Sequence, residues 1–322
     1  CLTKIVILFY FFIFALYLKI NLMLSVNSLE ISFSGEIIFS DVSFLIRPKD
    51  RIGLTGKNGS GKSSLMKAIT GEVKPSAGEI SIPGDKTIAY LPQNILFNED
   101  DLSLTEEIRK AFPEIIFLEK KIAKLNTELA ERTDYESDEY TKISEQLAES
   151  TERSGFLNAE GLNADIEKTL KGLGFSDEDM NRKTKELSGG WRMRVELAKL
   201  LLSAPDVLML DEPTNHLDIE SIEWLEQFLK SYKGAVILIS HDRRFLDNIT
   251  ERTLEIEHGQ MYEYPASYSD YVEMRKERIR LQAAEKKNQE KQIKETEEFI
   301  EKFRYKATKA KQVQSRIKQL EK

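Results

Sequence analysis

The residues best suited to chemistry fall in three short stretches. Gly56-Lys57-Asn58-Gly59-Ser60-Gly61-Lys62-Ser63, with Ser64 directly behind it, fits the spacing G-x-x-x-x-G-K-[ST] of a phosphate loop. Glycines let the backbone curl so that several N–H groups point inward, and the helix that follows adds its positive end. In such a loop Lys62 reaches the outer phosphates and the Ser63 hydroxyl is a ligand for Mg²⁺. A glycine turn with a surface lysine is the bland alternative; a strand before the loop and a helix after it favour the phosphate reading. Asp211-Glu212 closes the apolar run Val207–Leu210. A carboxylate at the C-terminal end of a strand points into the crevice where nucleotides bind. There Asp211 holds Mg²⁺ through water and Glu212 polarises an attacking water. Leu187-Ser188-Gly189-Gly190-Trp191 precedes a predicted helix, Arg192–Leu202. Ser188 caps that helix and the two glycines permit close backbone approach, although a plain cap would read the same way.

The surrounding pattern supplies elements to position these groups. Leu29–Phe33 and Val42–Ile46 alternate apolar and polar residues, as antiparallel strands near an edge do. Arg51–Thr55 is a short strand entering the loop, and Ser63–Thr70 a helix closed by Gly71. Ile80–Ile82 and Thr87–Leu91 read as two strands around the turn at Pro83-Gly84. Val207–Leu210 and Ala235–Ile239 are continuous apolar runs, which suit parallel strands buried on both faces, with Trp224–Lys230 as the crossover helix. Leu118, Ile122, Leu125 and Leu129 make one helical stripe, and Tyr140, Ile143 and Leu147 another. Residues 112–154 therefore form a predicted helical hairpin, either core-facing or a binding arm. From Asp270 to Phe303 no Gly or Pro interrupts a polar run that would span about 50 Å as one helix.

The 322 residues carry 47 Lys+Arg and 54 Asp+Glu, a net charge of −7, with 31% charged and 41% apolar residues. That suits a globular chain and excludes a uniformly basic nucleic-acid binder. A single cysteine, Cys1, excludes an intrachain disulfide and a Cys-rich metal site, and three histidines leave little for a His cluster. His216 and His258 are read as surface residues without chemistry. Ile5–Leu18 is an apolar run of 14 residues, short of the roughly 20 a membrane helix needs. Residues 1–22 are expected to be sequence upstream of a start at Met23; a membrane-associating segment and a signal peptide are the other readings.

Taken together, the stretches resemble an ATP-binding cassette ATPase over about residues 25–260. The matching elements are the phosphate loop, Gln93 in Leu-Pro-Gln, Leu187–Gly190, Val207–Glu212, Asp218, and His241 in Ile-Ser-His-Asp. The resemblance implies an α/β P-loop NTPase fold: a mostly parallel core sheet, an antiparallel β subdomain and a helical subdomain with an arm insertion, followed by a long helical linker. It implies ATP and Mg²⁺ as cofactors and ATP hydrolysis catalysed with Glu212, His241 and Lys62. Gln93 joins Ser63 and Asp211 at the metal and couples that site to conformational change, and His241 contacts the γ-phosphate. Phe33 stacks on adenine, unless it is a core-facing strand aromatic. Ser188, Gly189, Gly190 and Asp218 act on ATP held by an opposing cassette, so this single set of motifs needs a second cassette.

Three features resemble the F branch of this superfamily, ABC-F. Pro-Thr-Asn-His-Leu-Asp218 follows Glu212, Trp-Arg-Met-Arg-Val-Glu-Leu-Ala follows Gly190, and residues 268–322 are similar to the inter-cassette linker of that branch. The implied organisation is 1–22 as leader, 23–267 as cassette with an arm at about 112–154, and 268–322 as a truncated linker. The second cassette is then expected further along a longer chain. By the same resemblance the protein is cytoplasmic, binds the ribosome with its tRNA and rRNA through linker and arm, and has no stable membrane partner. A transporter ATPase subunit and a DNA-associated ABC-F ATPase are the competing readings. The charge supports a nucleic-acid surface on the linker. Residues 268–322 hold 16 basic and 10 acidic side chains, and the leader two lysines, which leaves −15 on residues 23–267. Within 302–322 eight basic residues face Glu321 alone. Phe303, Arg304, Tyr305 and Lys306 set aromatic and cationic groups side by side, as RNA binding favours; a solvated Lys-rich coiled coil is the alternative.

Overall fold

The computed structural model describes residues 22–93, 101–303 and 309–320. The apolar run Ile5–Leu18 and the cluster Arg304–Lys306 lie outside the described residues. The contacts divide the chain into two units, one through Tyr268 and one from Ser269 to Lys322.

The first unit holds two sheets. Strands β1 (Leu24–Phe33), β2 (Glu36–Ile46) and β4 (Ala77–Ser81) form an antiparallel sheet in the order β2-β1-β4. Six strands form the second, in the order β5-β6-β7-β3-β8-β9: β5 (Ile88–Leu91), β6 (Val207–Asp211), β7 (Ala235–Ile239), β3 (Arg51–Gly56), β8 (Arg252–Glu257) and β9 (Gln260–Tyr264). All neighbours in it are parallel except β8 and β9. The two strands expected around Pro83-Gly84 thus belong to different sheets: β4 pairs with β1 and β5 with β6. The turn carries the chain from one sheet to the other.

Side-chain alternation explains the continuous apolar runs. Val207 and Met209 enter a core shared with the antiparallel sheet and helix α1 (Lys62–Ile69), whereas Leu208 and Leu210 enter a core built with helices on the opposite face. Ala235, Ile237 and Ile239 divide from Val236 and Leu238 in the same way. Both faces of β6 and β7 are dry, so Val207–Leu210 and Ala235–Ile239 are all apolar, and each buried Leu, Val or Ile contributes about 1.5–3 kcal/mol.

The second core is closed by α2 (Leu104–Arg109), α5 (Leu162–Gly172), α6 (Gly189–Ser203), α7 (Ile219–Ser231) and α8 (Arg243–Ile249). The crossover helix α7 is longer than Trp224–Lys230 because Asp218 caps it earlier, accepting from the Ser221 N–H at 2.9 Å. At its far end the buried Arg51 donates to the carbonyls of Leu229 and Gly234 at 2.9 and 2.8 Å, and to that of Tyr232. This guanidinium satisfies the carbonyls that a helix C-terminus leaves open and joins them to β3.

Helices α3 (Pro113–Glu131) and α4 (Asp138–Phe156) form the hairpin. Arg153 pairs with Glu114 at 2.8 Å at its base, while Arg132 pairs with Asp134 and Glu139 at its tip. Leu118, Leu125 and Ile143 are buried but belong to neither core; Ile115 alone among the hairpin's buried apolar residues joins one. Phe117, Tyr135 and Phe156 are exposed. The hairpin packs chiefly on itself.

The second unit contains nearly all of α9 (Tyr268–Phe303) and α10 (Ala310–Leu320). Helix α9 has 36 residues, about 54 Å at 1.5 Å each. Ion pairs spaced three or four apart, such as Lys276–Glu273, Arg280–Glu277 and Lys291–Glu295, support it where no apolar stripe can. The Arg316 guanidinium lies 4.2 Å from the Phe299 ring centre, so α10 folds back along the end of α9.

Candidate nucleotide site

The loop between β3 and α1 has the backbone that the glycine spacing requires. Gly56, Gly59 and Gly61 have φ of 149°, 79° and 97°. A Cβ on Gly56 would meet the Ile256 carbonyl oxygen at 2.5 Å, and one on Gly61 would meet Ile38 and Phe39 side-chain atoms at 2.7 and 2.8 Å. Lys57, Asn58 and Gly59 are exposed, and Ser60 and Ser64 half-buried. The Ser60 hydroxyl oxygen is enclosed with no hydrogen-bond partner among the described residues. Lys62 Nζ donates to the Gly56 and Lys57 carbonyls at 3.0 and 3.1 Å. Burial lowers its pKa, opposed by the nearby charges of Asp211 and Glu212.

At the end of β6 the Asp211 carboxylate is buried and accepts from Ser63 Oγ at 2.7 Å and from the Tyr90 hydroxyl at 3.2 Å, both on Oδ2. A serine hydroxyl beside one carboxylate is a hard-oxygen set suited to Mg²⁺, which keeps waters and substrate phosphate oxygens as its other ligands. Among the described residues no group of three or more His, Cys, Asp or Glu side chains could hold a metal by itself, so the set fits a metal that arrives with phosphate. Burial, then the charge of Asp211, pushes the Tyr90 phenol's ionisation well above its ordinary value, so the hydroxyl remains a donor. Gln93 lies three residues beyond Tyr90 and is exposed. Among the described residues no hydrogen bond joins it to Ser63 or Asp211; Tyr90, which the sequence pattern did not mark, makes that contact.

Glu212 follows in a left-handed conformation, φ 55°, with its N–H on the Ile239 carbonyl at 2.9 Å. Its Oε2 accepts from the His241 backbone N–H at 3.1 Å. Oε1 is enclosed and has no hydrogen bond among the described residues, with the exposed His241 ring Nε2 3.5 Å away. Burial raises the Glu212 pKa and the neighbouring Asp211 adds to the shift, against the lowering effect of His241. A carboxylate oxygen without a donor, next to a phosphate loop, is placed to accept a proton.

Phe33 ends β1 and is 47% exposed, so it is not a core aromatic. Ser188 occupies the cap position of α6, exposed, with φ −66° and ψ 162°, but its side chain makes no capping hydrogen bond. Gly189 has nothing within 4 Å of a built Cβ, and Gly190 lies beside the His216 ring. Asp218 joins this region from the other side: Arg194 of α6 donates to Asp218 Oδ2 at 3.1 Å, to the His216 carbonyl at 2.7 Å and to the Leu173 carbonyl at 2.8 Å. The Ser221 N–H, with help from Arg194, holds the Asp218 carboxyl below the usual range. Arg194 also lies 4.3 Å from the Trp191 ring centre, and Trp191 packs edge-on against Phe175. His258 sits in the β8–β9 turn with φ 51°. The cleft of about 360 Å³ beside Ile219, Glu226 and Arg244 contains none of these residues.

Two family models, both described as ABC transporter, match residues 39–215 and 254–322. The probable ATP-binding protein YheS of Escherichia coli (strain K12) is 35% identical over 311 residues, covering 93% of this chain and 45% of its own length. The ABC transporter F family member 5 of Arabidopsis thaliana is 35% identical over 272 residues, covering 84% and 39%. The chain thus spans about half the length, or less, of these relatives. A solved structure of the ATP-binding subunit of an ABC transporter superposes with a TM-score of 0.56 at 20% identity, covering 78% of this chain and 98% of that one; it shares the fold.

Proposed function

Since the chain belongs to the ABC transporter family of ATPases, with relatives in its F branch, we propose that it is the ATP-binding and ATP-hydrolysing cassette of a cytoplasmic ABC-F protein that pairs two cassettes and acts on the ribosome. The observation that carries the chemistry is the close set of Ser63, Asp211 and Glu212 at the mouth of the phosphate loop. Phe33, exposed at the end of β1, stacks on adenine. Backbone N–H groups of the loop hold the phosphates, and Lys62 exchanges its two loop carbonyls for phosphate oxygens. Ser63 and Asp211 would hold Mg²⁺, which would neutralise charge on the phosphate oxygens. Glu212 orients the attacking water and takes its proton on Oε1, while His241 donates to the γ-phosphate. Ser188, Gly189 and Gly190 bind the γ-phosphate held by the second cassette, and Arg194 keeps them in register with Asp218.

The ribosomal part rests on the relatives' branch and on the basic second unit. Glu212→Gln in the full-length protein tests it. The variant keeps the His241 contact yet lacks the base, so it holds ATP, co-sediments with ribosomes and slows translation. Sedimentation indifferent to ATP and to the substitution defeats the ribosomal reading. Co-purification with an integral membrane protein instead points to a transporter subunit, and preference for DNA over tRNA-loaded ribosomes at stated salt points to a DNA-associated ATPase.

A further inference from the structure

We propose that Tyr90 is a positioning residue of the metal site: its hydroxyl fixes the Asp211 carboxylate and binds the strand that leads to Gln93 to that carboxylate. The inference rests on the nucleotide-site reading above. Tyr90 and Ile88 lie on the face of β5 that packs against the core shared with the antiparallel sheet, and Leu91 points into the other core. The ring is therefore anchored by apolar contacts while its hydroxyl reaches Asp211 Oδ2 at 3.2 Å. Parallel register makes this contact possible: Tyr90 pairs with Met209 and Leu91 with Leu210, one residue before Asp211.

Both donors recorded on Asp211, Ser63 and Tyr90, use the same oxygen. Oδ1 receives none among the described residues and is the oxygen left for a metal-bound water. Ser63 can ligate a metal through a lone pair of its oxygen while its O–H still donates to Asp211, and Tyr90 adds a second donor on the same carboxylate. Held by its packed ring, the Tyr90 hydroxyl is the donor that keeps the carboxylate in one rotamer independently of what Ser63 ligates. Partners that orient metal ligands in this way typically contribute ten- to hundredfold to affinity.

The test is Tyr90→Phe in the full-length protein, which removes one hydroxyl and keeps the packed ring. Mn²⁺ replaces Mg²⁺ as the probe, and free Mn²⁺ is followed by electron paramagnetic resonance as the protein–ADP complex is titrated. The Mn²⁺ dissociation constant rises about tenfold, while ADP affinity measured in EDTA is unchanged. In turnover, the Mg²⁺ concentration for half-maximal rate rises and kcat at saturating Mg²⁺ stays within about twofold, as expected for a metal partner outside the reacting atoms. An unchanged Mn²⁺ constant overturns the inference. So does an equal loss of ADP affinity in EDTA, which assigns Tyr90 to packing alone. Wild-type protein that binds ADP but no Mn²⁺ overturns this inference and the metal assignment together; wild-type protein that binds no nucleotide overturns the nucleotide-site reading on which both stand.

Discussion

Glu212 combines a left-handed backbone, an enclosed carboxylate and a raised pKa in one residue. Each costs folding free energy, and the φ of 55° alone is of order 1 kcal/mol or more. The sign of the electrostatic part follows from linkage. The folded-state pKa lies above the ordinary 4.5, so the folded chain binds the proton more tightly than the unfolded one. Ionised Glu212 therefore destabilises the fold above its folded pKa, and the penalty vanishes below 4.5. Glu212→Gln removes the penalty, so the variant melts higher than wild type at pH 7–8, and the gap narrows as the pH falls below the raised folded pKa and is gone below about 4.5. Equal melting temperatures across that range contradict the assignment. The phosphate loop was legible because its spacing is fixed within one short segment, and Asp211 and Glu212 because they directly follow an apolar strand. Tyr90 was not, because an aromatic in a short strand carries no spacing signal. Its role comes from a register between strands more than a hundred residues apart.

The elements divide along the same line. Val207–Leu210 and Ala235–Ile239 announced themselves because burial on both faces leaves only apolar residues. The stretch from Ile80 to Leu91 did not declare its two sheets, since the partners, β1 and β6, are distant in sequence. The hairpin's periodicity showed its two helices but not that they pack mainly on one another. Arg51 was invisible for a further reason: its partners are backbone carbonyls, which have no sequence identity. It braces the end of α7 against β3 through Leu229, Tyr232 and Gly234. Arg51→Met keeps the aliphatic stem but removes this donor from the Tyr232 and Gly234 carbonyls, while Leu229 keeps the Tyr232 N–H, at a cost of about 2–4 kcal/mol. Urea unfolding should show a lower midpoint with an unchanged slope. A midpoint within error of wild type shows that water replaces the guanidinium without penalty.

Over the whole molecule, an acidic cassette is continuous with a basic helical unit. The chain's net charge of −7 hides that contrast. If the second unit binds ribosomal RNA or tRNA, its affinity falls with salt in proportion to the phosphates it neutralises. Replacing Lys309, Lys311 and Lys318 with Gln lowers the slope of log affinity against log salt by about 2–3. An unchanged slope removes these lysines from the contact. The first unit has a different dependence. Helix α6 starts at Ser188 without a side-chain cap, so N–H groups of its first turn are left to water or to an anion. Under the proposed pairing, that anion is carried by a neighbour. Part of this chain's folding free energy is then released only when the second cassette docks: stability and partnership become a single quantity.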